Sequence, residues 1–297
     1  MKIAIAGASG MVGKALTKSL SAKGHVVTPL VRGSADDQVF VGVTSEYLQT
    51  FDAVINLAGE NIAAKRWSDE QKKLIVDSRV KTTAFLANAL AKTSGSPKVF
   101  INASAIGIYG NRGSESITEE SSPGTGFLAS TCRQWEEATK PAQHQGLRVV
   151  IARLGVVLSK EGGALHKMLL PFQLGAGGVL GSGRQYMSWI DIDDLVKAFV
   201  FLLENDVEGV VNMTSPKPVT NAEFTSTMSK VLSRPAILPA PAFGLKLILG
   251  EMAQEMLLDG SLVLPSKLEK AGFKFDYANL ESSLNHEIKA PAAAGTH

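Results

Sequence analysis

A single cysteine, Cys132, in 297 residues excludes an internal disulfide and any metal centre built from several thiolates. That scarcity suits a reducing compartment. Charge of one sign is also missing: 30 Lys and Arg stand against 28 Asp and Glu, a net charge of +2 with no basic block. Such a balance argues against nucleic acid or an anionic membrane as a partner. The longest apolar stretch late in the chain, Phe243 to Leu258, is interrupted by Lys246, Glu251 and Glu255. It is too short and too charged to span a bilayer. Met1-Lys2 leads directly into a strand-like run with no signal-peptide hydrophobic region. The five histidines have no metal-ligand spacing, so no metal is expected. These absences leave a cytoplasmic protein, monomer or homodimer, acting on a small molecule.

What is present is concentrated at the start. The apolar run Lys2 to Ala6 breaks into Gly7-Ala8-Ser9-Gly10-Met11-Val12-Gly13, an amphipathic helix follows, and a second strand over Val26 to Val31 ends at Arg32. Strand, glycine turn, helix and strand in this order form the βαβ unit that binds a dinucleotide. Gly7 allows the tight turn, Gly10 lets the backbone approach a pyrophosphate, and Gly13 permits close helix–strand packing. Free N–H groups of Ser9, Met11 and Val12 at the helix start attract the anion. Arg32 stands where an acidic residue would select NAD. It pairs with the 2′-phosphate of NADP(H), or is an ordinary solvated strand-end residue. Asp36 and Asp37 read as loop.

Strand-like and helix-like segments alternate as far as residue 155, which predicts an α/β fold with a Rossmann-type, doubly wound parallel sheet. Ala53 to Gly59 reads as a buried strand, Ser68 to Ala91 as a helix capped by Ser68, and Lys98 to Ala103 as a strand. Thr131 to Gln143 reads as a helix and Leu147 to Leu154 as a strand, with Pro141 obscuring the helix end. Residues 1–155 are the expected dinucleotide-binding core. Residues 156–288 are expected to form a smaller, mostly helical substrate lobe interleaved with the last core elements. In that lobe helices are predicted over Leu165 to Leu174 and Leu195 to Leu203, and Pro235 to Pro241 reads as a linker into a helical segment, 242–288. The end, 289–297, is expected to be disordered.

Gly7 to Gly13, Asn56-Leu57-Ala58-Gly59, Tyr109-Gly110 and Trp189 to Asp194 occur in the order of an extended short-chain dehydrogenase/reductase, which the chain resembles. Asn56 to Ile62, Arg66-Trp67, Ser78-Arg79, Gly181 to Gln185, Gly250 to Ala253 and Leu257 to Gly260 resemble an atypical branch of the NAD-dependent epimerase/dehydratase group. Its members are often labelled sugar-nucleotide epimerase or cell-division-inhibitor-like. The resemblance implies that Leu57, Ala58, Gly59 and Ala103 line the cofactor, that Arg153, Gly155 and Val156 pass the nicotinamide, and that Arg79 contacts NADP rather than forming a surface ion pair. Arg133 is a further basic candidate.

One departure concerns chemistry. The resemblance implies a Tyr-x-x-x-Lys pair that moves the proton and holds the nicotinamide ribose. Anchored on Trp135-Glu136, its two positions fall on Leu128 and Cys132, and a shift of one residue gives Phe127 and Thr131. None of these does that work. Ser104, near the family's catalytic Ser/Thr, either acts on substrate or hydrogen-bonds nearby backbone. Tyr109 is a substitute acid or a retained, non-catalytic phenol. Glu60 is a cofactor-side general base or a loop cap. Cys132 is a nucleophile or an inert buried thiol, and Asp191, Asp193 and Asp194 are a cation cluster or a helix N-cap. The sequence therefore predicts an NADP(H)-binding, epimerase- or oxidoreductase-like protein for a small carbonyl or hydroxyl compound, free or nucleotide-linked. The alternative is a non-catalytic NADPH-binding redox sensor or assembly factor, and a scaffold with a vestigial turn comes third.

Overall fold

The computed structural model describes residues 1–33, 39–144 and 146–289. In chain order its first half holds β1 (Lys2–Ala6), α1 (Met11–Ala22), β2 (Val26–Leu30), α2 (Ser45–Leu48), β3 (Ala53–Asn56), α3 (Asp69–Leu90), β4 (Val99–Ala105), β5 (Gly113–Ile117), α4 (Phe127–Glu137), α5 (Lys140–His144) and β6 (Arg148–Leu154). There follow β7 (Val156–Ser159), α6 (Gly163–Gln173), β8 (Tyr186–Met187), β9 (Trp189–Asp191), α7 (Ile192–Glu204), β10 (Gly209–Met213), β11 (Val219–Thr220) and α8 (Asn221–Leu232). The last elements are α9 (Ala242–Leu249), α10 (Glu251–Ala253), β12 (Ser261–Val263), α11 (Ser266–Lys270) and α12 (Leu280–Lys289). Asp36 and Asp37, and the tail from residue 290, lie outside the described residues.

Six strands pair in parallel in the order β10-β6-β4-β3-β1-β2. The chain leaves β1 in one direction to reach β2 and continues on the other side of β1 through β3. The switch point, where a dinucleotide crevice opens in such sheets, is therefore at the carboxyl ends of β1 and β3. The period-2 pattern of β1 covers both faces. Ile3 and Ile5 enter one core with Leu16 and Leu20 of α1 and Phe199 of α7, while Ala4 and Ala6 enter another with Leu86 and Leu90 of α3. A third core joins Phe172 of α6, Phe224 and Met228 of α8 and Leu284 of α12 under Trp189. It is the hydrophobic basis of the lobe.

Three elements differ from their sequence reading. The strand over Gly209–Met213, absent from that reading, adds the edge beside β6, so the sheet draws its last strand from beyond residue 155. The helix expected over 131–143 starts earlier and divides into α4 and α5. Pro141 has no N–H to offer the Glu137 carbonyl, and α4 closes in a turn where the Thr139 N–H and Oγ1 both donate to the Glu136 carbonyl, at 3.1 and 2.7 Å. The early start has a distant cause. Gly126 offers no side-chain cap, and Glu255 accepts the Phe127 and Leu128 N–H groups at 2.7 and 2.8 Å. A carboxylate at a helix N-terminus satisfies orphan donors and complements the dipole. Glu255→Ala is expected to cost about 1–2 kcal/mol, read in denaturant melts, with Glu255→Gln recovering part of it.

Candidate functional site

The glycine turn is built as the spacing requires. Gly7 has φ +80°, and a Cβ there would stand 2.7 Å from the Leu57 carbonyl carbon. A Cβ on Gly13 would meet the Gly7 carbonyl oxygen at 2.2 Å. Only hydrogen fits at either place, and the turn is closed by Gly10 N–H donating to Gly7 O at 3.1 Å. Gly10 is the N-cap of α1, where no side chain caps and no acid occupies the first turn. Ser9 and Gly10 are exposed and Met11 and Val12 half-buried, so the helix start faces outward with positive potential and no internal counter-charge.

Across the crevice, β3 delivers Leu57, Ala58 and Gly59. Asn56 is held by Asn102 at 2.7 Å and Thr83 at 2.9 Å, and its own Oδ1 accepts the Ala58 N–H, so a buried polar network fixes this loop. Arg79 of α3 lies against Gly59, where a Cβ would come within 3.1 Å of its Cζ, and stacks over Trp135 at 5.1 Å. It donates to the Ile75 carbonyl at 3.0 Å, and among the described residues no carboxylate pairs with it. Burial pushes its pKa below the ordinary arginine value, with Cys132 and Glu60 opposing. A guanidinium partly stripped of water and lacking a carboxylate is suited to an incoming phosphate. The Glu60 backbone N–H donates to Ser78 Oγ at 2.9 Å, which anchors the loop to α3. Arg32 is exposed at the end of β2, also without an acidic partner among the described residues. The donor set therefore fits a doubly charged pyrophosphate with a further anionic group near β2.

The carboxyl ends of β4 and β6 hold a second cluster. Ser104 and Arg153 lie opposite each other in register. The Ser104 hydroxyl donates to Glu136 Oε1 at 2.6 Å, and Arg153 donates to both oxygens of Glu136, at 2.8 and 2.7 Å. Arg153 also donates to the Tyr109 hydroxyl at 2.8 Å, which donates to Asn212 Oδ1 at 2.8 Å. Tyr109 is fully buried, and burial raises its pKa despite the Arg153 charge. Its proton is committed to the core, which removes the physical basis for a substitute acid. The Arg153 side chain is likewise committed, so that only its backbone, leading into Gly155 and Val156, reaches the crevice edge. That edge is pinned by Gly155 N–H to Met213 O and Val156 N–H to Ser188 O. Glu136, the hub of the cluster, entered the sequence analysis only as a register anchor with no role of its own, and its place one turn beyond Cys132 on α4 was the signal for it.

Leu128 and Cys132 stand on α4 with no phenol or ammonium in their place. Cys132 is buried and its thiol is pushed up to about 11 by burial, with Glu136 adding to the shift, so it is no nucleophile at neutral pH. Arg133 is turned away, donating to the Gly124 carbonyl at 2.7 Å.

The acids at 191–194 serve the fold. Asp191 caps α7 through the Asp193 N–H and accepts the Ser283 hydroxyl of α12 at 2.6 Å, while Asp194 accepts the N–H groups of Asp276 and Tyr277. Burial pushes Asp191 up to about 7 from 3.8, against its hydrogen bonds to Ser283 and Asp193. The folded chain therefore holds this proton over a range where the unfolded chain has lost it. The resulting stability is present below the unfolded value and is lost as pH rises from there to about 7. Asp191→Asn is expected to flatten that decline, with the melting temperatures of variant and parent converging at acid pH.

With this geometry in place, comparison with known proteins identifies the family. Residues 3–214 match the model of the NAD dependent epimerase/dehydratase family. The chain belongs to that family. Residues 240–287 match a domain of unknown function, DUF1731. Among relatives of this epimerase family, the chain is 44% identical over 297 residues to an epimerase family protein of Mycobacterium bovis, covering 97% of this chain and 98% of the other. It is similar to the crystal structure of a human epimerase family protein with NADPH, at TM-score 0.89 and 34% identity, covering 98% of this chain and all of that one. A Corynebacterium glutamicum structure described as a nucleoside-diphosphate sugar epimerase gives TM-score 0.80 at 35% identity, over 97% of this chain and 58% of that one. Among the described residues no helix is long and apolar enough to cross a membrane.

Proposed function

We propose that the chain binds NADP(H) in the crevice between the Gly7–Gly13 turn and the Leu57–Gly59 loop and oxidises or epimerises a small hydroxyl compound. The observation that carries the binding is the uncapped, acid-free start of α1 facing Arg79, a half-buried guanidinium with no carboxylate partner. Helix dipole, backbone N–H groups and guanidinium converge where a pyrophosphate fits. Arg32 sits on the side of the 2′-phosphate and sets the preference for NADP(H), as the NADPH in the human relative supports.

When bound, the nicotinamide supplies hydride transfer at its C4. Ser104 directs the accompanying proton. Its own hydrogen is given to Glu136, so the buried Ser104 Oγ keeps lone pairs with which it would accept from a substrate hydroxyl that reaches it. A proton leaving that hydroxyl passes to Ser104 Oγ as the Ser104 proton passes to Glu136, whose carboxylate Arg153 holds in place. The reading thus favours a hydroxyl compound as the substrate in the oxidative direction.

A second reading, an NADPH-dependent sensor without turnover, is favoured by Leu128 and Cys132 standing at the Tyr and Lys positions. Two measurements separate them. Fluorescence titration is expected to give NADPH binding at least about tenfold tighter than NADH, a ratio that Arg32→Ala brings close to one. A panel of alcohols and carbonyls with NADP+ or NADPH then tests turnover. Robust turnover that survives Ser104→Ala sinks the relay, and tight binding without any turnover supports the sensor.

A further inference from the structure

The helix α9, Ala-Phe-Gly-Leu-Lys-Leu-Ile-Leu, has the composition of a core helix, yet none of its residues is buried. Ala242, Leu245 and Leu249, at i, i+3 and i+7, are half-buried against the protein. On the outer side Phe243, Leu247 and Ile248 are 76%, 77% and 69% exposed. A helix that is apolar all round normally has protein on every side; this one has it on one.

The bare surface extends beyond the helix. The segment 235–240 runs beside 177–181, with Ala240 N–H donating to Val179 O and Gly181 N–H to Ala240 O. This pairing sets the exposed Ile237 and Leu238 alongside the turn after α6, where Leu174 is also exposed. A contiguous apolar surface of this kind on a folded chain marks a binding face.

Charge selects the occupant. Neither 162–190 nor 224–250, the two segments that build the face, contains an Asp or Glu, in a chain whose acids and bases otherwise balance. Lys230 is paired with Glu281, but Arg184, Arg234 and Lys246 are exposed and have no acidic partner among the described residues. An apolar face whose own charged side chains are all positive, with Glu251 just beyond α9 paired to Lys72 and Glu223 tied into the α8 cap, complements a surface that is apolar beneath and anionic above. A second copy of this chain, docking by two-fold symmetry, would instead bring like charges together.

We propose that this face docks peripherally on anionic phospholipid. The helix α9 lies in the plane of the interface, with Phe243, Leu247 and Ile248 entering the boundary of the acyl chains and Lys246 and Arg234 at the level of the phosphates. The proposal departs from the sequence expectation of no membrane partner. That expectation rested on net charge and spanning length, and a short interfacial helix registers in neither.

Co-sedimentation of the full-length protein with phosphatidylcholine vesicles containing phosphatidylglycerol, against phosphatidylcholine alone, tests this. Binding is expected to the anionic vesicles only, weakening as salt is raised, and to fall at least about tenfold in Phe243→Asp/Leu247→Asp. The same variant is expected to keep its melting temperature and NADPH affinity, since neither residue packs in a core. In Phe243→Trp, the added indole fluorescence is expected to shift to the blue on anionic vesicles. Absence of sedimentation with those vesicles overturns the proposal. So does equal binding by the double Asp variant, or a concentration-dependent dimer that this variant dissociates while vesicles leave the parent unbound.

Discussion

Gly13→Ala is expected to abolish NADPH binding while adding only one methyl group. The Cβ would stand 2.2 Å from the Gly7 carbonyl oxygen and 2.7 Å from Ala8 Cα, both of them backbone atoms in the turn itself. No rotamer change relieves such a contact, so α1 must move off β1 or the turn must open. Either movement displaces the N–H groups that would face the pyrophosphate. Overpacking of this kind costs about 1–3 kcal/mol of stability, and the loss in affinity is expected to exceed about 100-fold, or 2.7 kcal/mol at about 1.4 kcal/mol per tenfold. Gly24→Ala is the control. Gly24 has φ +81° with nothing within 4 Å of an added Cβ, so Gly24→Ala destabilises through backbone strain alone, without a clash and with no reach to the crevice. Thermal melts and NADPH titrations on both variants decide the matter. Near-parental affinity in Gly13→Ala would place the cofactor elsewhere.

Glu136→Ala has the largest expected effect on stability. The side chains of Glu136 and Arg153 are 11% and 7% exposed, and three hydrogen bonds converge on the carboxylate. Removing it leaves a buried guanidinium with the Tyr109 hydroxyl as its remaining acceptor among the described residues and frees the Ser104 proton. Breaking one side of a buried pair costs about 3–5 kcal/mol, much of it the penalty of the stranded charge. The double variant Glu136→Leu/Arg153→Met is therefore expected to be more stable than Glu136→Ala alone. Equilibrium unfolding of Glu136→Leu, Arg153→Met and the double gives the coupling directly. If the singles sum to the double, the pair is energetically idle in the fold. Under the relay reading, Glu136→Gln keeps a partner for Ser104 yet lowers kcat with little change in NADPH affinity, a split that a purely structural role would not produce.

The glycine turn was legible in the sequence because it is local. Gly7, Gly10 and Gly13 act within seven consecutive residues, and β1, turn and α1 adopt the only arrangement their spacing allows. Arg32 and Asn56 to Gly59 follow at the ends of neighbouring strands. Arg79 came from resemblance, and its contact with Gly59 gives that assignment a physical form. The division of 131–143 was partly visible in Pro141, whereas its early start was not, because the cap comes from Glu255, far along the chain. The edge strand β10 escaped for a similar reason: Gly209-Val210-Val211 is too short to be told from loop until β6 offers it a partner.

Composition and local pattern alone thus determined a doubly wound parallel sheet with a phosphate-binding turn, and the family resemblance registered the loss of the Tyr and Lys it implies on α4. Only tertiary structure decided what stands beside that loss. Ser104, Glu136 and Arg153 come from β4, α4 and β6, and they meet because parallel pairing sets Ser104 opposite Arg153 while α4 packs across both strands. Side-chain hydrogen bonds form over a few ångströms, and no spacing along the sequence records which distant residues the fold brings within that reach.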